Sequence, residues 1–140
     1  MRIAFMAILA AVIGVAAARA SGGARVVGNC TASQVRPASI VLACADANSA
    51  LTRLRWRTFG GATARATGDF TYNDCTPSCV AGHTHSYPVA IVFSAPKRCP
   101  DGHRDYQVAD ARFSSARQPP GSAGGPGKPG KLALFCPLKG

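Results

Sequence analysis

Beyond residue 20 the apolar positions of this chain come in short runs that alternate with polar ones at a period of two, and no stretch shows the 3.6-residue period of an amphipathic helix, a heptad or an internal repeat. The clearest run is Leu51 to Phe59. Successive side chains of a strand point oppositely, so Arg53, Arg55 and Arg57 fall on one face and Leu54 and Trp56 on the other. Gly60-Gly61 breaks the run. A second follows from Thr63 to Tyr72, with Ala64, Ala66, Gly68, Phe70 and Tyr72 in one phase and Thr63, Arg65, Thr67, Asp69 and Thr71 in the other. Together they predict a hairpin. A two-residue loop would set Trp56 against Arg65 and mix the faces on every rung. A three-residue loop, Gly60-Gly61-Ala62, sets Phe59 against Thr63, Trp56 against Ala66, Leu54 against Gly68 and Arg53 against Asp69, and keeps each face consistent.

Other segments read the same way. Val35 to Cys44 carries Ile40, Val41, Leu42 and Ala43 and stops at the turn formers Asp46-Ala47-Asn48-Ser49. His83 to Ser94 is apolar on both faces from Val89 onward, which predicts a central strand with Pro88 near its start or at a bulge. Pro100-Asp101-Gly102 turns the chain into a strand from Arg104 to Phe113, whose imperfect alternation predicts a bulge near Val108 to Asp110. The Pro/Gly/Ser stretch Gln118 to Gly130 (residues 118–130) reads as a flexible internal loop, followed by a last strand over Lys131 to Cys136. Six short strands predict an all-β fold, a small antiparallel sandwich or barrel.

The first 20 residues are different in kind. Arg2, the apolar run Ile3 to Val15 and the small-x-small triplet Ala18-Arg19-Ala20 form an export signal, leaving residues 21–140 as a single secreted, extracellular domain. No later segment approaches the roughly 20 apolar residues of a membrane span. Export changes the reading of Cys30, Cys44, Cys75, Cys79, Cys99 and Cys136. In an oxidising compartment six thiols in a short chain are a disulfide framework, whose 15 connectivities sequence does not choose among. Cys75 to Cys79 lacks the second matching pair of a zinc ribbon.

Charge narrows the partners. Without Arg2 and Arg19 the chain keeps 14 basic residues against six aspartates and no glutamate, a net charge of 14 − 6 = +8. Such a balance favours polyanions: a cell-wall polymer, an acidic polysaccharide or nucleic acid. Arg53, Arg55, Arg57 and Arg65 would form the contact face of a non-catalytic binding module that needs no cofactor. His83-Thr84-His85 is the one metal-like spacing, placing two imidazoles about 6.6 Å apart on one strand face. His85 also falls in phase with Tyr87, Val89, Ile91 and Phe93, as a histidine at the core margin would. With His103, these residues suit the acid and base of a small phosphodiesterase or ribonuclease-like hydrolase, the class of hydrolase that survives the lack of glutamate and of a nucleophile elbow. Asp74, Asp101 and Asp105 could assist such chemistry, although an aspartate beside Asn or Gly, as at Asn73-Asp74 and Asp101-Gly102, is more often a turn former.

Leu42-Ala43-Cys44, Leu54-Arg55-Trp56 before a glycine turn, Asn73 to Cys79, His85 to Val89 and Arg98-Cys99-Pro100-Asp101-Gly102 are also informative as a set. Over Pro37 to Phe113 the chain resembles a family of small, uncharacterised secreted proteins of high-GC Gram-positive (actinobacterial) bacteria. The resemblance implies an exported, disulfide-containing domain and no particular activity. Tyr87-Pro88-Val89 before an apolar strand is similar to the Tyr-Asp-Pro-Val stretch of subtilisin-inhibitor-type proteins, which implies a secreted protease inhibitor as an alternative.

Overall fold

The computed structural model describes residues 22–113, Pro119 and residues 129–138. Residues 1–20, expected to be an export signal, and all of the expected 118–130 loop except Pro119, Pro129 and Gly130 lie outside the described residues. The described chain is all-β and antiparallel, with no helix and hence none long and apolar enough to cross a membrane. Val26–Val27 (β1) and Ser33–Gln34 (β2) form a small ribbon. Ile40–Val41 (β3), Ser49–Thr58 (β4), Ala64–Asn73 (β5), Thr84–Arg98 (β6), Arg104–Phe113 (β7) and Pro129–Ala133 (β8) form one six-stranded meander in sequence order. The meander curls into a half-barrel, with β3 and β8 at its edges. The choice between sandwich and barrel thus resolves to a single curved sheet that does not close.

The predicted hairpin is β4–β5, with Trp56 opposite Ala66 and Arg55 opposite Thr67 as the face argument requires. Its turn is longer than predicted. Phe59 to Thr63 all lie outside the strands, and Thr58, not Arg57, stands opposite Arg65. The ladder shifts register twice, between Thr52 and Arg55 and between Trp56 and Thr58. Such bulges add a residue to one strand and re-aim its side chain. At the first, Arg53 takes a left-handed backbone (φ 51°) and Thr52 replaces it opposite Asp69. Gly68 makes room there, because a Cβ on it would lie 2.6 Å from the Thr52 carbonyl oxygen and 3.0 Å from Leu54 Cδ2.

Three other expectations are corrected. The strand expected over Val35 to Cys44 shrinks to β3, because Arg36 takes φ 49° and Pro37 has no N–H to offer a ladder. Pro88 lies inside β6 as its fifth residue, paired with Asp69 of β5 and one position beyond the last described β7 pair, Val89 with Phe113. No extra residue sits at Val108 to Asp110, where pairing with β6 is continuous. The broken alternation is real but lies at Gln107. Burial passes from Ala109, Ala111 and Phe113 to Tyr106, opposite a stretch of β6 where Ala95 takes φ 53°. Both strands turn over together, so no residue is gained.

The core fills the inner face of the curl. Phe93 and Tyr106 are fully buried at its centre, with Ile40, Leu51, Val89, Ile91, Ala109 and Ala111 around them. Trp56 packs on this cluster from β4, its ring centroid 4.9 Å from that of Phe93. Residues 24–27, for which the pattern predicted no strand, cover one end. Ala24 N–H donates to Gly60 O at 2.9 Å, Arg25 N–H to Arg104 O at 2.7 Å, and Val26 is completely buried. Cys30–Cys44, Cys75–Cys79 and Cys99–Cys136 pair as sequence neighbours. The last of these ties the residues after β8 to the end of β6.

Candidate functional site

The outer face of the sheet carries the charge. Arg55, Thr67, Ala90 and Arg112 share one rung across β4 to β7, and Arg65, Val92, Asp110 and Lys131 share another across β5 to β8. With strands about 4.8 Å apart, each rung spans roughly 14 Å. Exposed Thr67 and Ala90 and half-buried Val92 are too small to fill the space above them. A shallow depression of about 720 Å³ therefore opens there, edged by Arg57, Arg65, Arg112 and Asp110. The second bulge makes Arg57 the extra residue beside Arg65, and both line this depression.

The four arginines singled out by the sequence are not equivalent. Arg55, Arg57 and Arg65 are exposed on this face. Arg53 is engaged instead: its Nε and Nη2 both donate to Asp69 Oδ2 at 2.6 Å, and this raises its pKa further. Asp69, with an exposure of 7%, is shielded by that contact. The alternation of β7 was too irregular to place Arg112, which the register brings onto the same face.

At the other end of β5 and β6 the histidines meet a carboxylate. His83 stands just before β6 and His85 inside it, so they do not sit as a regular strand pair. His85 Nε2 lies 2.9 Å from Asp74 Oδ2, and His83 Nδ1 lies 3.9 Å from the same oxygen. The backbone N–H groups of His83 and Thr76 donate to Asp74 Oδ1 at 2.9 and 3.1 Å. The His85 hydrogen bond, followed by these backbone donors, lowers the Asp74 pKa to about 2. The His85 ring stacks on Tyr72 with centroids 5.2 Å apart. His103 lies beyond the far end of the 15-residue strand β6, roughly 40 Å along it by strand rise, and so does not join the other two histidines.

A third cluster involves Asp105, which is completely buried. Ser33 Oγ lies 2.7 Å from Asp105 Oδ2 and 2.8 Å from Asp101 Oδ2, although a hydroxyl carries one hydrogen. The second short contact requires a proton on one of the acids. Of the two acids Asp105 holds a proton the more readily, because burial raises its pKa whereas the Ser33 hydrogen bond lowers that of Asp101. Asp105 Oδ1 has no partner, an arrangement that costs far less for the carbonyl of a neutral acid than for an anion. Arg25 and His103 also act on this carboxyl, opposing the rise. Cys99 Sγ lies within 4.8 Å of both acids but is bonded to Cys136, so it offers no thiolate to a metal.

Asp105 therefore makes stability fall with rising pH. Its folded pKa lies above the unfolded value, so its contribution is complete below about pH 3.9 and is lost as pH rises through the raised pKa. Asp105→Asn mimics the neutral acid. The melting temperature of this variant relative to wild type should climb as pH goes from 4 to 8, and an unchanging difference would place the proton elsewhere.

No family model, no curated protein and no solved structure matches this chain.

Proposed function

We propose that the protein is an exported, non-catalytic binding module for an anionic extracellular or envelope polymer, held by the outer face of the half-barrel. The observation that carries this reading is the depression edged by Arg57, Arg65 and Arg112, with Arg55 and Lys131 on the same two rungs and a floor of small side chains. Guanidinium groups on neighbouring strands present planar donor forks to phosphate, sulfate or carboxylate groups. A shallow, open floor suits a chain passing across it. Three disulfides are compatible with an oxidising compartment, in keeping with the export signal and the actinobacterial secreted family the sequence resembles. Tyr87-Pro88-Val89, the stretch behind the inhibitor alternative, is paired with β5 inside the sheet.

Neutralising Arg55, Arg57, Arg65 and Arg112 to glutamine should weaken binding of a fluorescent single-stranded oligonucleotide or heparin fragment. It should also flatten the salt dependence, by about 0.7 in log–log slope for each lost contact with a single strand. Neutralising Arg36, Lys97, Arg98 and Arg104 removes the same charge from exposed positions elsewhere and should have the smaller effect. Equal losses from both quadruple variants would reduce the face to a share of the net charge and remove the basis of the proposal.

A further inference from the structure

We propose that Asp74, His83 and His85 form a binding site for a divalent transition cation of the zinc or copper class. The donor set is the first reason. Two imidazoles and one carboxylate, with the remaining positions open to solvent, are ligands that these ions accept and that calcium or magnesium does not favour.

Geometry is the second. Metal–ligand bonds of about 2.0 to 2.2 Å place neighbouring donor atoms roughly 2.9 to 3.5 Å apart. The Asp74 Oδ2 to His85 Nε2 distance is 2.9 Å, and the Oδ2 to His83 Nδ1 distance is 3.9 Å. A cation would sit off the line between Asp74 and His85, so binding turns the carboxylate or the His85 ring slightly and draws the exposed His83 ring inward. That side chain is 80% exposed and free to turn.

The third reason is that the anchor is built before any ion arrives. Both described hydrogen bonds to Asp74 Oδ1 come from the backbone, which leaves Oδ2 aimed at the imidazoles. Asn73 holds the loop from inside, accepting from Cys75 N–H at 2.8 Å and donating to the Cys79 carbonyl at 2.8 Å, and the Cys75–Cys79 bridge closes it. The chain returns over this carboxylate at Gly82, where a Cβ would collide with Asn73 Oδ1 and lie 2.9 Å from Asp74 Oδ1. Stacking on Tyr72 fixes the plane of His85.

Charge distribution is the fourth. This strongly basic chain has no lysine or arginine from residue 66 to residue 96, the stretch that contains the whole site. Of the two aspartates in that stretch, Asp69 is occupied by Arg53 and Asp74 is left to the histidines. Within this stretch the charge at the site is thus that of Asp74, with no lysine or arginine adjoining it in sequence.

Untagged, disulfide-intact protein titrated with zinc chloride by calorimetry should bind one ion per chain. Copper(II) as a spectroscopic probe should show imidazole nitrogen couplings in its paramagnetic resonance spectrum. His83→Ala is the decisive variant, since the exposed ring supports nothing in the fold. It should weaken zinc binding at least tenfold with an unchanged melting temperature in the absence of metal. His85→Ala should weaken binding at least as much, and His103→Ala, at the other end of β6, should bind as wild type does. Wild-type affinity in His83→Ala, or equal losses from all three single variants, would overturn the site.

Discussion

Reduction of the three disulfides should unfold this domain. The bridges join residues 37, 14 and 4 positions apart, and the entropy of closing such loops in the unfolded chain corresponds to on the order of 4, 3 and 2 kcal/mol, about 9 in all. Domains of this size are stable by roughly 5 to 15 kcal/mol, so the loss is comparable with the whole margin. The intact oxidised protein should weigh about 6 Da less than the reduced one, two hydrogens for each bridge. Replacing Cys99 and Cys136 together by serine should be the most damaging single-bridge change. That bridge closes the longest loop, and it holds the residues after β8, at an edge of the sheet, to the end of β6. Denaturant unfolding of reduced, alkylated protein provides the measurement. A cooperative transition within 1 kcal/mol of the oxidised one would show that the sheet and its core suffice alone.

Trp56→Ala should cost about 3 to 4 kcal/mol, from lost burial, the cavity left and two broken aromatic contacts. The indole meets Phe59 edge-on at 4.7 Å and Phe93 at 4.9 Å, and its Nε1–H donates to the Pro37 carbonyl at 2.8 Å. This hydrogen bond links β4 to the irregular segment that precedes β3. Trp56→Phe keeps most of the packing and loses the donor, so it should cost nearer 1 to 2 kcal/mol. Far-UV circular dichroism should follow the unfolding, because Trp56 is the sole tryptophan and the variants lose its fluorescence. A cost below 1 kcal/mol for alanine would mean that the ring contributes little to the core despite its position.

Period-two alternation was enough to determine the all-β class, the β4–β5 pairing with Trp56 over Ala66, the central position of β6 and the exposure of Arg55, Arg57 and Arg65. These are properties of which face of a strand a residue occupies, and faces follow from spacing alone. Tertiary structure decided what depends on a third partner or on backbone strain. Bulges at Arg53 and Arg57 shift the phase of β4, so that Leu51 and Leu54 both enter the core and Arg57 and Thr58 are both exposed, which a single period-two phase does not give. Alternation set Arg53 opposite Asp69, and the contact survives in the structure although the bulge puts Thr52 on that rung, so Asp69 withdraws Arg53 from the charged face. Arg112 joins the face only once β7 lies beside β6, and Asp74 meets His83 and His85 only once the loop after β5 folds back. The disulfide pairing followed the same logic. Cysteines bond to whichever partner the finished fold leaves within reach, and spacing along the chain measures no such distance.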